Sequence, residues 1–171
     1  HEGELGWGLD GTPNSLAVMA TNTRKLYYPN PLPNSFYTGN TKEEPFVGLR
    51  ENYYAFTWGD ALFVVLDPYW YTPKKPDWNW TLGSDQYTWF KKTLSESRAK
   101  YKFVFCHNLV GGNTGDARGG VEFAGLFEWG GNNADGSYGW DTYRPTWEKP
   151  IHTLMKENHV TAFFHGHDHF F

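Results

Sequence analysis

Twice in this chain an amphipathic helical pattern runs straight into a short, unbroken apolar stretch, and that order narrows the fold more than any other feature. Over residues 84–100, Tyr87, Phe90 and Leu94 recur at helical spacing behind a capping Ser84, with Glu96 four residues before Lys100. A continuous apolar strand at 102–106 follows. The pattern repeats with a helix at about 147–158 and a strand at 160–164. Helices feeding buried strands point to an α/β domain of mixed β-sheet layers flanked by helices.

The N-terminal part fits the same class. Residues 15–27 predict a helix capped by Ser15, with Leu16, Met19, Ala20, Thr23 and Tyr27 recurring at three- and four-residue spacing. Residues 28–45 carry Pro29, Pro31, Pro33 and Pro45 and read as loop. Residues 53–58 alternate, with Tyr54, Phe56 and Trp58 on one face. A Gly59-Asp60 turn then leads to an apolar strand at 61–66, which together make a β-hairpin. Residues 111–143 are expected to form a Gly-rich lid with a short helix near 121–129.

Composition removes several classes of function. A length of 171 residues suits a single domain, 1–171. The longest aliphatic-aromatic run has six residues, where a membrane-spanning helix needs about 20. Fifteen Lys and Arg against nineteen Asp and Glu give −4, with no basic stripe, so nucleic acid is not an expected partner. One cysteine forms no internal disulfide. The chain opens on His1 rather than Met. It is therefore expected to begin inside a longer product, and a secreted or periplasmic parent is compatible with it.

Histidines gather where such a fold builds sites. His107 follows the 102–106 strand, while His165, His167 and His169 follow the 160–164 strand. Ligands of open α/β sheets bind beyond the carboxyl ends of strands, so parallel neighbouring strands would bring His107, His167 and His169 together at that edge. Imidazoles in a cluster suit zinc, iron or manganese, and Gly166 permits a sharp bend with positive φ before His167. His165 is expected to be structural or supporting, and His152 and His159 surface or capping residues. Cys106 alternates away from His107 and reads as a small buried hydrophobe rather than a zinc ligand. Asp67 reads as a loop-orienting residue. Trp78, Trp80 and Trp89 read as packing residues.

These residues resemble a known family. Gly166-His167-Asp168-His169 resembles the GHxH signature of the calcineurin-like metallophosphoesterases, and His1-Glu2 resembles the tail of their GNH[DE] signature. Cys106-His107-Asn108 is similar to their isolated His motif. The stretch from the hairpin to the Gln86-containing helix looks closest to the purple acid phosphatases. The resemblance implies the C-terminal part of a four-layer αββα sandwich holding two metal ions (iron, manganese or zinc). His107 and His167 would ligate one ion and His169 the other. A hydroxide bridging the ions would attack a phosphate ester, and His1 would protonate the leaving oxygen. Arg118, with its planar fork of donors, would reach a substrate phosphate or else be a solvated loop residue.

The family's DxH and GDxxD signatures, which precede GNH, are absent, and Gly59-Asp60 does not replace them because Phe63 stands where the second Asp belongs. The ion pair is thus incompletely ligated by these residues, and the chain alone is expected to be inactive or nearly so. A reading from a different class is a non-catalytic module that binds carbohydrate or a partner through its aromatics, which make up 19% of residues. A structural Cys/His zinc site through Cys106 is a third.

Overall fold

A computed structural model of the chain describes residues 2–110 and 121–167. It is a mixed α/β structure. In chain order, the elements are α1 (Leu16–Tyr27), β1 (Thr38–Gly39), β2 (Glu43–Glu44), β3 (Gly48–Leu49), β4 (Tyr54–Trp58), β5 (Ala61–Leu66) and α2 (Ser84–Glu96). There follow β6 (Tyr101–Cys106), α3 (Phe127–Gly130), α4 (Trp140–Tyr143), α5 (Ile151–Glu157) and β7 (Ala162–His165), with short 3-10 turns between. Five strands form one sheet in the order β1-β4-β5-β6-β7, and β2 and β3 pair separately.

The β4–β5 hairpin forms as expected, with Trp58 opposite Ala61 and only Gly59 and Asp60 between them. Gly59 takes φ +56, the left-handed conformation such a two-residue turn requires. Strands β5, β6 and β7 are parallel neighbours. Each junction spans a helix-containing crossover, so both helix-to-strand units lie side by side in one sheet.

The two faces of the sheet differ in chemistry. Leu62, Val64, Leu66, Val104 and Cys106 point to the helices and pack with Phe90 and Leu94 of α2 and Ile151, Leu154 and Met155 of α5. The opposite face carries a run of phenylalanines. Phe56 stacks on Phe63 at 5.1 Å, Phe63 lies 5.5 Å from Phe103, and Phe164 stacks on Phe105 at 4.9 Å. These rings are only partly covered, and Phe164 is 49% exposed. The aromatic alternation of β4 therefore lies on the open face, and Ala55 is its buried residue.

Several local expectations are corrected. The periodic residues Leu16, Met19 and Tyr27 of α1 are exposed, and the buried ones are Ala17, Val18 and Thr21. The hydroxyl of Ser15 occupies the cap position without bonding to the helix. Gly83, not Ser84, precedes α2, and the helix ends at Glu96, so Glu96 and Lys100 do not share a helical turn. Helix α5 starts only after Pro150, because that ring holds the preceding backbone extended. Of the expected lid, Phe127, Glu128, Trp129 and Trp140 are buried in the core, whereas residues 134–138 and 141–143 stay exposed. The carboxylate of Glu128, completely buried, accepts from Leu82 N–H at 2.8 Å and Arg144 Nε at 2.7 Å, which fastens this segment to the loop before α2. Burial pushes the Glu128 carboxyl up, opposed by the Arg144 charge. Residues 111–120 of the expected lid lie outside the described residues.

Candidate functional site

The parallel strands β5, β6 and β7 deliver Asp67, His107 and His167 to one edge of the sheet. A pairing register that sets Cys106 opposite His165 brings the residues just beyond both strands together. His107 Nε2 lies 3.2 Å from His167 Nδ1, with the rings edge-to-face and their centroids 5.2 Å apart. Gly166 N–H donates to the His107 carbonyl at 2.9 Å, which ties the two turns together. A β-carbon added to Gly166 would sit 3.4 Å from His107 Nδ1, so the backbone of the second turn runs close beside the His107 ring.

The positive φ expected near Gly166 falls instead on His167, at +68. Histidine is among the few residues other than glycine that are enriched in this region. The turn throws the His167 ring back toward His107 rather than along the strand. His165 belongs to β7, where its ring stacks on Phe163 at 5.6 Å.

Asp67 does not reach out as a ligand. Its carboxylate accepts from Tyr69 N–H at 2.9 Å and from the Asn52 amide, and it pairs with Arg50 at 3.6 Å. Gln86 of α2 clamps the Asp67 backbone, accepting from its N–H at 2.8 Å and donating to its carbonyl at 2.7 Å. The loop after β5 is thereby locked, and its Tyr69 hydroxyl donates to Asn108 Oδ1 at 2.6 Å. Tyr69 and Asn108 are both buried, and the Tyr69 ring lies 6.2 Å from that of His107. This brace behind the first histidine was not legible in advance. The only hint was an asparagine immediately after a strand-end histidine.

A cavity of about 400 Å³ opens beside the pair, with Asn52, Asp67, His107 and His165 among its polar walls and Phe105 and Phe164 among its apolar ones. Cys106 borders this cavity but its thiol takes no part in the histidine pair. Its thiol faces the core, lies 3.1 Å from the Asn108 carbonyl, and is pushed far up by burial.

Two imidazole nitrogens 3.2 Å apart match the bite of two adjacent ligands on one ion held at about 2.0–2.1 Å. The same distance also suits a hydrogen bond from one neutral ring to the other. Among the described residues no cluster of three or more His, Cys, Asp or Glu side chains could hold a metal ion, so the described ligand set stops at two. His1, Arg118 and His169, expected respectively as proton donor, phosphate contact and ligand to the second ion, lie outside the described residues. No helix among the described residues is long and apolar enough to cross a membrane. No protein-family model, curated protein or solved structure matches the chain.

Proposed function

We propose that the chain is the C-terminal part of a metal-dependent phosphoesterase, a hydrolase of phosphate esters with two ions of iron, manganese or zinc. The meeting of His107 Nε2 and His167 Nδ1 at 3.2 Å, beyond the carboxyl ends of adjacent parallel strands, carries this reading. Such ions, when bound, lower the pKa of water and offset charge on the phosphoryl oxygens. His107 and His167 would present neutral nitrogens to one ion and His169 to the other. Tyr69 and Asn108 hold the turn bearing His107, and Gly166 N–H couples it to the turn bearing His167. His1 would serve the leaving oxygen, and Arg118 the phosphate.

The finer architecture, one half of a four-layer αββα sandwich, is supported by the phenylalanine face. Phe56, Phe63, Phe103 and Phe164, in ring contact across four strands and left partly uncovered, suit packing against a second sheet. They suit sugar binding poorly, since that needs hydrogen-bonding partners beside the stacking surface. The carbohydrate-module reading is therefore the weaker one.

Calorimetric titration of the chain with Zn²⁺ or Mn²⁺ tests the proposal. His107→Ala and His167→Ala are each expected to weaken binding by at least about tenfold, while His152→Ala leaves it unchanged. Equal binding by all four proteins would overturn the assignment. In a longer chain that includes residues upstream of His1, hydrolysis of p-nitrophenyl phosphate or its diester is expected to require added metal and to be lost in His167→Ala.

A further inference from the structure

A cleft of about 420 Å³ lies between the loop that leads into α2 and the turn that follows α4. Its size is that of a small-molecule site, which typically spans about 300–1,000 Å³. Ser84, Pro145, Thr146 and Trp147 also line a second cleft of about 810 Å³ that runs along α2 as far as Ser95. The two adjoin and make one elongated groove. It shares no residue with the cavity beside His107 and His167.

The first cleft holds a fixed aromatic platform. The Tyr143 ring stacks on that of Trp78, with centroids 4.7 Å apart and planes 8° from parallel. Trp78 is itself buried, and its Nε1–H donates to Asn133 Oδ1 at 2.8 Å. Arg144 fastens the turn: its Nε donates to Glu128, and its other two nitrogens donate to the Tyr143 and Trp78 carbonyls. Tyr143 is nevertheless 48% exposed. One face of its ring lies on Trp78, and the other is left open. The Trp147 ring nearby is already covered, by Tyr87 at 4.1 Å and the Arg144 guanidinium at 5.2 Å. A tyrosine held this way offers a rigid apolar surface with little freedom left to lose on binding.

Charge and hydrogen bonding select the ligand. Among the described residues around the first cleft Arg144 is the only charged one, and Glu128 neutralises it at 2.6 Å. An anion finds no free cation there, and a cation no free carboxylate. Asn79, Ser84 and Thr146 stand exposed on the walls. Among the described residues no hydrogen bond engages their side chains. They supply one amide and two hydroxyls, groups that both donate and accept. A flat apolar surface beside such neutral groups fits a sugar ring, which has an apolar C–H face and a rim of hydroxyls. The phenylalanine face of the sheet has the rings without these partners.

We propose that this groove binds a neutral oligosaccharide, with one pyranose ring stacked on Tyr143 and hydrogen-bonded by Asn79, Ser84 and Thr146, and further rings running along α2. Isothermal titration of the chain with maltotriose, cellotriose and chitotriose, each up to about 10 mM, tests it. At least one sugar is expected to bind. Tyr143→Ala is expected to weaken that binding at least about tenfold, and Tyr143→Phe, which keeps the ring, to retain it. Asn79→Ala removes only an exposed amide, and about a two- to tenfold loss with an unchanged melting temperature is expected. Tyr143→Ala should titrate with Zn²⁺ as the wild type does, which separates the groove from the histidine pair. Absence of binding to all three sugars, or undiminished binding by Tyr143→Ala or by Asn79→Ala, would overturn the proposal. So would binding of decaproline, another ligand of aromatic grooves, in place of the sugars.

Discussion

Tyr53 is buried beneath the loop that carries Asp67, its ring 4.8 Å from that of Trp89. Burial drives its hydroxyl up from 10.0 to about 12, against the opposing pull of the Arg50 charge. Between pH 10.0 and about 12 the unfolded chain has released this proton while the folded chain retains it. Folding then binds more protons than unfolding, so stability falls as pH rises through that window. One such group contributes at most about 1.4 kcal/mol per pH unit. Tyr53→Phe keeps the ring and is expected to flatten this fall without erasing it, because Tyr54, Tyr71 and Tyr87 are also shifted up by burial. Melting temperatures across the alkaline range check it; parallel curves for the two proteins would count against it. Arg50 has a comparable single-residue balance. Fully buried, it lies between the Trp70 and Tyr71 rings with Asp67 as its counter-charge, and among the described residues its Nε makes no hydrogen bond.

Elements are joined here by a few buried polar ties. Lys102 of β6 points into the helix side of the sheet, and its Nζ donates to the carbonyls of Leu94 and Asn158 at 3.0 Å each, at the ends of α2 and α5. Burial holds its pKa below the usual lysine value. Lys102→Met preserves much of the volume but strands both carbonyls, and an equilibrium denaturation loss of about 1–3 kcal/mol is expected. A loss within error would show that water replaces the ammonium. The sequence predicts β6 as continuous and apolar, and the lysine in it carries no visible sign of this role. The β4–β5 hairpin was legible because a glycine turn between two strand patterns is a local signal. The buried face of α1 was not, since periodicity reveals a stripe but not which side meets the core. Similarly, the Gly-rich run after residue 111 reads as a loop, although Trp129 and Trp140 are core residues once Arg144 and Glu128 pair.

Across the whole molecule, β5 and β6 are central and paired on both sides, while β1 is a two-residue edge strand and β7 a four-residue one. Hydrogen exchange is expected to be slowest at Val64 and Val104, whose side chains are fully buried, and fastest within the sheet at Thr38 and Phe164. Uniform protection across the five strands would contradict this ordering. Although β1 and β2 lie in the stretch 28–45 that reads as loop, the chain by itself determined the α/β class, the order of the hairpin, α2, β6, α5 and β7, and the placing of His107 and His167 just past two apolar strands. Those are local matters of periodicity, turn chemistry and chain direction. Only the tertiary structure decided that the two strands are parallel neighbours in a register that brings the imidazole nitrogens to 3.2 Å. It also decided that Asp67 is consumed by its own loop, that Tyr69 braces Asn108, and that one aromatic face and one helix stripe remain uncovered. Contacts between residues tens of positions apart depend on how layers stack and which faces close, and no short stretch of sequence encodes that.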